Sequence, residues 1–140
     1  MSKIKCSYLG DLKSEAKHLQ SGDLIKTDAP LDHCGKGENF SPTDLLATSL
    51  GSCILTIMAI KARSNGWELK NISLNIEKIM TKNRDRKIEQ LIIDIYFSED
   101  LSNDKLDFIK NASKDCPVTR NLSDSLIIQI NWHKQKTAQK

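Results

Sequence analysis

The chain has few aromatics, little proline and no C-x-x-C pair. Two Trp, two Tyr and three Phe amount to 5% of its 140 residues, and no recognition motif accompanies them. A nucleic-acid partner is therefore not expected, although the chain carries a net charge of +3 and ends in the basic stretch HKQKTAQK. Charges of both signs are otherwise mixed along the chain, and residues from about 134 to 140 read as a solvated basic tail. The four cysteines, Cys6, Cys34, Cys53 and Cys116, are far apart and irregularly spaced, which excludes a disulfide framework and a zinc ribbon. His33 beside Cys34 is half of a metal-ligand set without a matching half, so neither a metal nor another cofactor is expected. No G-x-S-x-G occurs, GKGENF lacks the spacing of a phosphate loop, and there is no internal repeat. The opening MSKIKCSYLG has no apolar signal region. Residues 45–60 carry no charge but include Thr48, Ser49, Ser52 and Thr56, and the run falls short of the roughly 20 apolar residues of a membrane span. The expectation is a cytoplasmic protein with no membrane partner.

What is present is ordinary globular material: 39% hydrophobic and 28% charged residues, enough for one domain over residues 1–140. Its centre is a long helix over residues 41–66. Ser41 suits the N-cap, Pro42 the first helical position, and Asp44 completes an acidic capping box. Asn65-Gly66 stops the helix after Lys61 and Arg63. Leu46, Leu50, Cys53, Ile57 and Ile60 share a narrow arc, while Leu45, Ala47, Ile54 and Met58 extend the apolar surface beyond it. A helix apolar on more than one side must be buried, and one short chain has little with which to surround it; two copies packed as a homodimer are expected. Gly51 costs about 1 kcal/mol relative to alanine in a helix interior, which marks a point of close approach.

Around this helix the pattern is mostly strand. Residues 4–9 and 12–19 read as strands joined at Gly10-Asp11, residues 24–27 as a third, and residues 28–40 as a loop. After Gly66 the period changes to two. Residues 67–82 place Ile72, Leu74, Ile76 and Met80 on one face, and residues 87–98 do the same with Leu91, Ile93, Ile95 and Phe97. Residues 102–114 form a second helix, Asp115-Cys116-Pro117 breaks it, Cys116 caps a short helical turn, and residues 126–133 form a last strand. The fold class is α+β with a mainly antiparallel sheet.

Two cysteines stand on separate elements. Cys53, in mid-helix, is either a small packing residue or a thiol reached by other groups. Cys116, at a helical N-terminus with Arg120 one turn on, has N–H groups that favour a thiolate. Together they fit a peroxidatic and resolving pair: one thiolate opens an O–O bond and becomes a sulfenic acid, and the other condenses with it to a disulfide.

The stretches GKGENFSPTDLLATSLGSC and DCPVTRNLS make the chain resemble the OsmC/Ohr superfamily of osmotically inducible and organic hydroperoxide resistance proteins. The resemblance implies an intertwined homodimer with long central helices wrapped by sheets. It also implies thiol-dependent reduction of small hydrophobic hydroperoxides in oxidative or osmotic stress defence, with a dithiol as reductant. Cys53 is then the attacking thiol and Cys116 the resolving one. His33, Asp44 and Arg120 would tune the thiolate or position the peroxide, and Phe40, Leu50 and Ile57 would line an apolar pocket. The chain departs from the peroxidase branches at two points: Thr43 stands where they place a glutamate, with Asp44 one residue later, and His33 fills the slot of their arginine. The alternative is a non-catalytic OsmC-like domain that binds a small molecule or senses redox state.

Overall fold

A computed structural model describes residues 1–136, and the chain divides into two compact units, Met1–Leu46 and residues 47–140. The end of the expected tail, residues 137–140, lies outside the described residues; Lys134 and Gln135 belong to the last strand.

The first unit is an antiparallel meander of β1 (Ile4–Gly10), β2 (Lys13–His18) and β3 (Leu24–Asp28). The loop that follows makes a single 3₁₀ turn, Leu31–His33, and returns to β3 through a parallel bridge between Thr27 and Phe40. It is anchored by Asp28, whose Oδ2 accepts from Lys13 Nζ at 2.8 Å and from the Glu38 N–H at 3.0 Å. The start of α1 (Pro42–Ser64) is capped as the sequence predicts. The Asp44 N–H donates to Ser41 Oγ at 3.0 Å, and the Ser41 N–H donates to Asp44 Oδ2 at 2.9 Å.

The second unit packs the rest of α1 on the sheet β4 (Ser73–Met80), β5 (Ile88–Ser98) and β6 (Ile127–Gln135), in the order β4-β5-β6. The helix ends in a Schellman motif. Gly66, at φ 87, lets the Trp67 N–H reach the Ala62 carbonyl at 3.1 Å and its own N–H reach Arg63 at 3.1 Å. The predicted strand over residues 67–82 begins only at Ser73, because Asn71 takes a left-handed conformation (φ 54) that interrupts the extended chain. β4 and β5 pair antiparallel, but β6 runs parallel to β5. A parallel neighbour needs a crossover, and α2 (Asn103–Ala112) supplies it. Ser102 caps α2 through the Lys105 N–H, and a 3₁₀ turn, Ser113–Asp115, extends it to the predicted break.

The core joins Ala47, Leu50, Ile54 and Met58 of α1 to Leu91, Ile93 and Ile95 of β5, with Ile109 and Cys116. The buried face of α1 thus differs from the predicted arc. Leu50 is on it, but Leu46 and Ile60 are exposed at 37% and 60%, and Cys53 lies at its flank. Gly51 explains the rotation. A Cβ there would come within 2.5 Å of Ile76 Cδ1 and 3.0 Å of Leu74 Cδ1, so the glycine face is the one that can sit on the sheet. By length and composition α1 is the one described helix able to cross a membrane; here one of its faces is core.

Candidate active site

Two elements bring two sulfurs together. Cys53 is carried by the middle of α1, two residues beyond the close contact at Gly51. Cys116 follows the 3₁₀ extension of α2. The proline after it holds it in extended backbone (φ −73, ψ 117) and stops the helix there. Cys53 is half-buried and Cys116 is fully buried; all four cysteines are free thiols. Cys53 packs against the core cluster that contains Cys116, and the two thiols shift one another's acidity.

The two thiols differ in acidity. Burial pushes the Cys53 thiol above its ordinary value, and donation of its proton to Cys116 pushes it further, against a smaller opposing effect of the Val118 N–H. Burial also raises Cys116, but donors outweigh it. The Cys53 thiol, the Thr119 hydroxyl and the N–H groups of Thr119 and Val118 converge on its sulfur and hold it below the ordinary thiol value. Of the two thiols, Cys116 is therefore the more acidic and Cys53 the less acidic.

The local fold explains the donors. Residues 117–122 form a tight turn: Asn121 Nδ2 donates to the Pro117 carbonyl at 2.9 Å, and the Asn121 N–H donates to Val118 at 3.0 Å. The 3₁₀ stretch is Thr119–Asn121 with Val118 as its N-cap, so Cys116 does not cap it as the sequence predicts. The N–H groups of Val118 and Thr119 at the start of this turn still lower the Cys116 thiol, as N–H groups at a helical start do. Thr119 was not singled out from the sequence; its position three residues after a cysteine that precedes proline was the available signal.

The other predicted site residues are placed as follows. Arg120 turns its guanidinium to Asp115 Oδ1 at 3.2 Å, and Lys61 Nζ reaches the same carboxylate at 3.4 Å. Asp44 is engaged in the helix cap described above. Leu50 is fully buried in the core, and Ile57 is half-buried one turn beyond Cys53. Phe40 and His33 are exposed in the first unit. His33 there borders a recess of about 340 Å³ shared with Tyr8, Leu12, Lys13, Ser14 and Thr27. Among the described residues, no group of three His, Cys, Asp or Glu stands close enough to hold a metal, so His33 and Cys34 have no such company.

Comparisons with known proteins identify the family and the fold. The family model described as OsmC-like protein matches residues 35–131, a stretch that includes both Cys53 and Cys116. A solved structure from Psychrobacter arcticus 273-4, whose name refers to osmotic stress induction and a detoxification response, is 40% identical. It superposes with a TM-score of 0.87 over 95% of this chain and 96% of that one. The organic hydroperoxide resistance protein OsmC of Legionella pneumophila (12% identity, TM-score 0.75, 95% and 96% covered) has the same fold. So does the organic hydroperoxide resistance protein OhrB of Bacillus subtilis (14% identity, TM-score 0.69, 94% and 97% covered). No curated protein matches the chain. A family match over most of the chain, with a relative at 40% identity, settles the assignment: the chain belongs to the OsmC-like family.

Proposed function

We propose that the chain forms, as one OsmC-like domain over its length, a homodimeric thiol peroxidase that reduces organic hydroperoxides in cytoplasmic stress defence, with Cys53 attacking and Cys116 resolving. The observation that carries the reading is that two free thiols share one core cluster, Cys116 buried within it and Cys53 half-buried against it. The half-buried Cys53 is the sulfur a peroxide reaches; the fully buried Cys116 is the sulfur that waits for it. In the reaction, Cys53 passes its proton to the Cys116 thiolate and attacks the peroxide. The O–O bond breaks, Cys53 becomes a sulfenic acid, and the alkoxide takes the proton back from Cys116. The Cys116 thiolate then attacks the sulfenic sulfur, closing the disulfide and releasing hydroxide. A dithiol resets the pair. The half-buried apolar side chain of Ile57, one turn after Cys53, favours a bulky organic peroxide over hydrogen peroxide, while Leu50 stays in the core. The dimer is supported by α1, which leaves Leu46 and Ile60 exposed on the face away from the core, and by the exposed Ile4, Tyr8 and Leu9 of β1.

The test is consumption of cumene hydroperoxide with dithiothreitol as reductant. Wild type turns over repeatedly and Cys53→Ser does not; equal rates for the two overturn the assignment. Analytical ultracentrifugation reads the dimer directly. The raised Cys53 thiol favours a second reading, a redox-sensing domain that reacts slowly with peroxide. One oxidation per chain with no turnover under excess dithiol identifies that behaviour.

A further inference from the structure

The segment that carries Cys116 is held to the helix that carries Cys53 by charge as well as by packing. Cys116 lies between two 3₁₀ turns, Ser113–Asp115 and Thr119–Asn121, and residues 116–118 belong to no helix or strand. Proline has no N–H, so Pro117 donates no backbone hydrogen bond that would join the end of α2 to the next turn. Side chains therefore seat the segment. Cys116 is part of the core, and Val118 packs against it. Outside the core, the Asp115 carboxylate meets two cations. Its Oδ2 pairs with Lys61 Nζ at 3.4 Å, about two turns beyond Cys53 on α1. Its Oδ1 accepts from the Arg120 guanidinium at 3.2 Å. One carboxylate thus ties together α1, the end of α2 and the turn after Cys116.

We propose that Asp115 is a positioning residue of the thiol pair: its bridge to Lys61 and Arg120 seats Cys116 against α1 and so favours closure of a Cys53–Cys116 disulfide. The proposal rests on reading Cys53 and Cys116 as a redox pair. Only chains with the segment seated can close, so whatever lowers the seated fraction lowers closure by the same factor. An exposed ion pair is worth a factor of about 1.4 to 5. Removing the carboxylate does more than delete that attraction. Lys61 and Arg120 then face one another as like charges and push the turn from the helix. Oxidised glutathione drives the closure. The Cys53 thiolate attacks one glutathione sulfur, the other glutathione leaves as its thiolate, and a mixed disulfide remains on Cys53. The Cys116 thiolate then attacks Cys53 Sγ and the second glutathione thiolate leaves. The two departing thiolates take up the protons that the two cysteines gave up.

The test is the ratio of closed disulfide to Cys53–glutathione mixed disulfide in a glutathione redox buffer, read by peptide mapping after acid quenching. A Cys6→Ser/Cys34→Ser background removes the two exposed thiols of the first unit. Asp115→Asn lowers the ratio about threefold or more, and Lys61→Gln lowers it about twofold, because Arg120 keeps its partner. In the Asp115→Asn background Lys61→Gln instead raises the ratio by relieving the repulsion. Added salt likewise lowers the ratio in wild type and raises it in Asp115→Asn. A substitution that merely loosened the fold would show neither change of sign. The three charged side chains reach the surface, so these variants leave the core intact. An unchanged ratio in folded Asp115→Asn, an equal fall on Lys61→Gln in both backgrounds, or no Cys53–Cys116 disulfide in wild type overturns the proposal. The buffer contains no peroxide. A protein that closes the disulfide as expected but does not turn over cumene hydroperoxide therefore refutes the peroxidase reading and leaves the role of Asp115 standing.

Discussion

Replacing Gly51 with alanine tests how the cysteine-bearing helix is seated. Two opposing effects are expected. Alanine in a helix interior is favoured over glycine by about 1 kcal/mol. Its Cβ, however, would lie 2.5 Å from Ile76 Cδ1 and 3.0 Å from Leu74 Cδ1, well inside van der Waals contact. Both atoms are ends of flexible side chains, so the clash is relieved by rotating Ile76 and shifting Leu74 rather than by lifting the helix. Overpacking of this kind costs about 1–3 kcal/mol. The net expectation is a destabilisation of about 1 kcal/mol. The cause can be isolated with Ile76→Val, which deletes the clashing Cδ1 and alone costs about 0.5–1.5 kcal/mol. With only the Leu74 contact left, Gly51→Ala should be neutral or slightly stabilising, so the double-mutant cycle should give a coupling of about 1–2 kcal/mol. Urea unfolding of the four proteins, read by far-ultraviolet circular dichroism, measures it. Gly51→Ala stabilising the wild-type background by the full helix-propensity gain, or additive effects of the two substitutions, refutes the argument that this glycine sets the distance between α1 and the sheet.

Three further outcomes follow from particular contacts. Ser41→Ala removes the acceptor of the Asp44 N–H and should cost about 1 kcal/mol, read as a lower urea midpoint; no change would mean the cap contributes nothing to α1. The hydrogen bond from Lys13 holds the buried Asp28 carboxyl below the usual carboxylate range, with the Glu38 N–H assisting against burial. A depressed folded value stabilises above the unfolded value of about 3.9 and the benefit is lost as pH falls through the folded value, so stability of the first unit should drop on the acid side of about pH 4. Asp28→Asn should flatten that drop in amide-resolved NMR, and an equally steep drop in the variant excludes Asp28 as its source. Finally, Cys116→Ser removes the resolving sulfur and the proton acceptor; at a pH above the ordinary thiol value, where Cys53 ionises unaided, cumene hydroperoxide should leave Cys53 as a dimedone-reactive sulfenic acid, and an unlabelled Cys53 there would show that it is not the sulfur attacked.

The helices were legible because their signals are local. Ser41, Pro42 and Asp44 announce the start of α1 and Gly66 its end, each by satisfying backbone groups within one turn. The alternation in residues 87–98 places Leu91, Ile93, Ile95 and Phe97 inward, since period-two patterning survives whatever the strand pairs with. Two things were not local. The parallel pairing of β6 with β5 depends on the route of the crossover through α2, which the strand's own residues do not encode. The buried face of α1 is apolar on nearly every side, so hydrophobic period alone selects no face; the absence of a side chain at Gly51 makes the choice.

The site divides in the same way. That Cys53 and Cys116 lie on separate elements could be read from the chain, and so could the break before Pro117. Their acidity order could not. It follows from which sulfur receives the convergent donors, and that depends on the turn over residues 117–122 folding back on the cysteine before it. Arg120, one turn after Cys116, is the charged partner the sequence suggests, but its guanidinium pairs with Asp115. Hydrogen bonds from Thr119 and the backbone do at Cys116 what a cation was expected to do at Cys53. They make the buried thiol the more acidic of the two, while burial raises the accessible one. Under the peroxidase reading Cys53 must lose its proton before it attacks, and its thiol is raised, so the rate should climb with pH past the ordinary thiol value rather than follow the charge of any single neighbouring side chain.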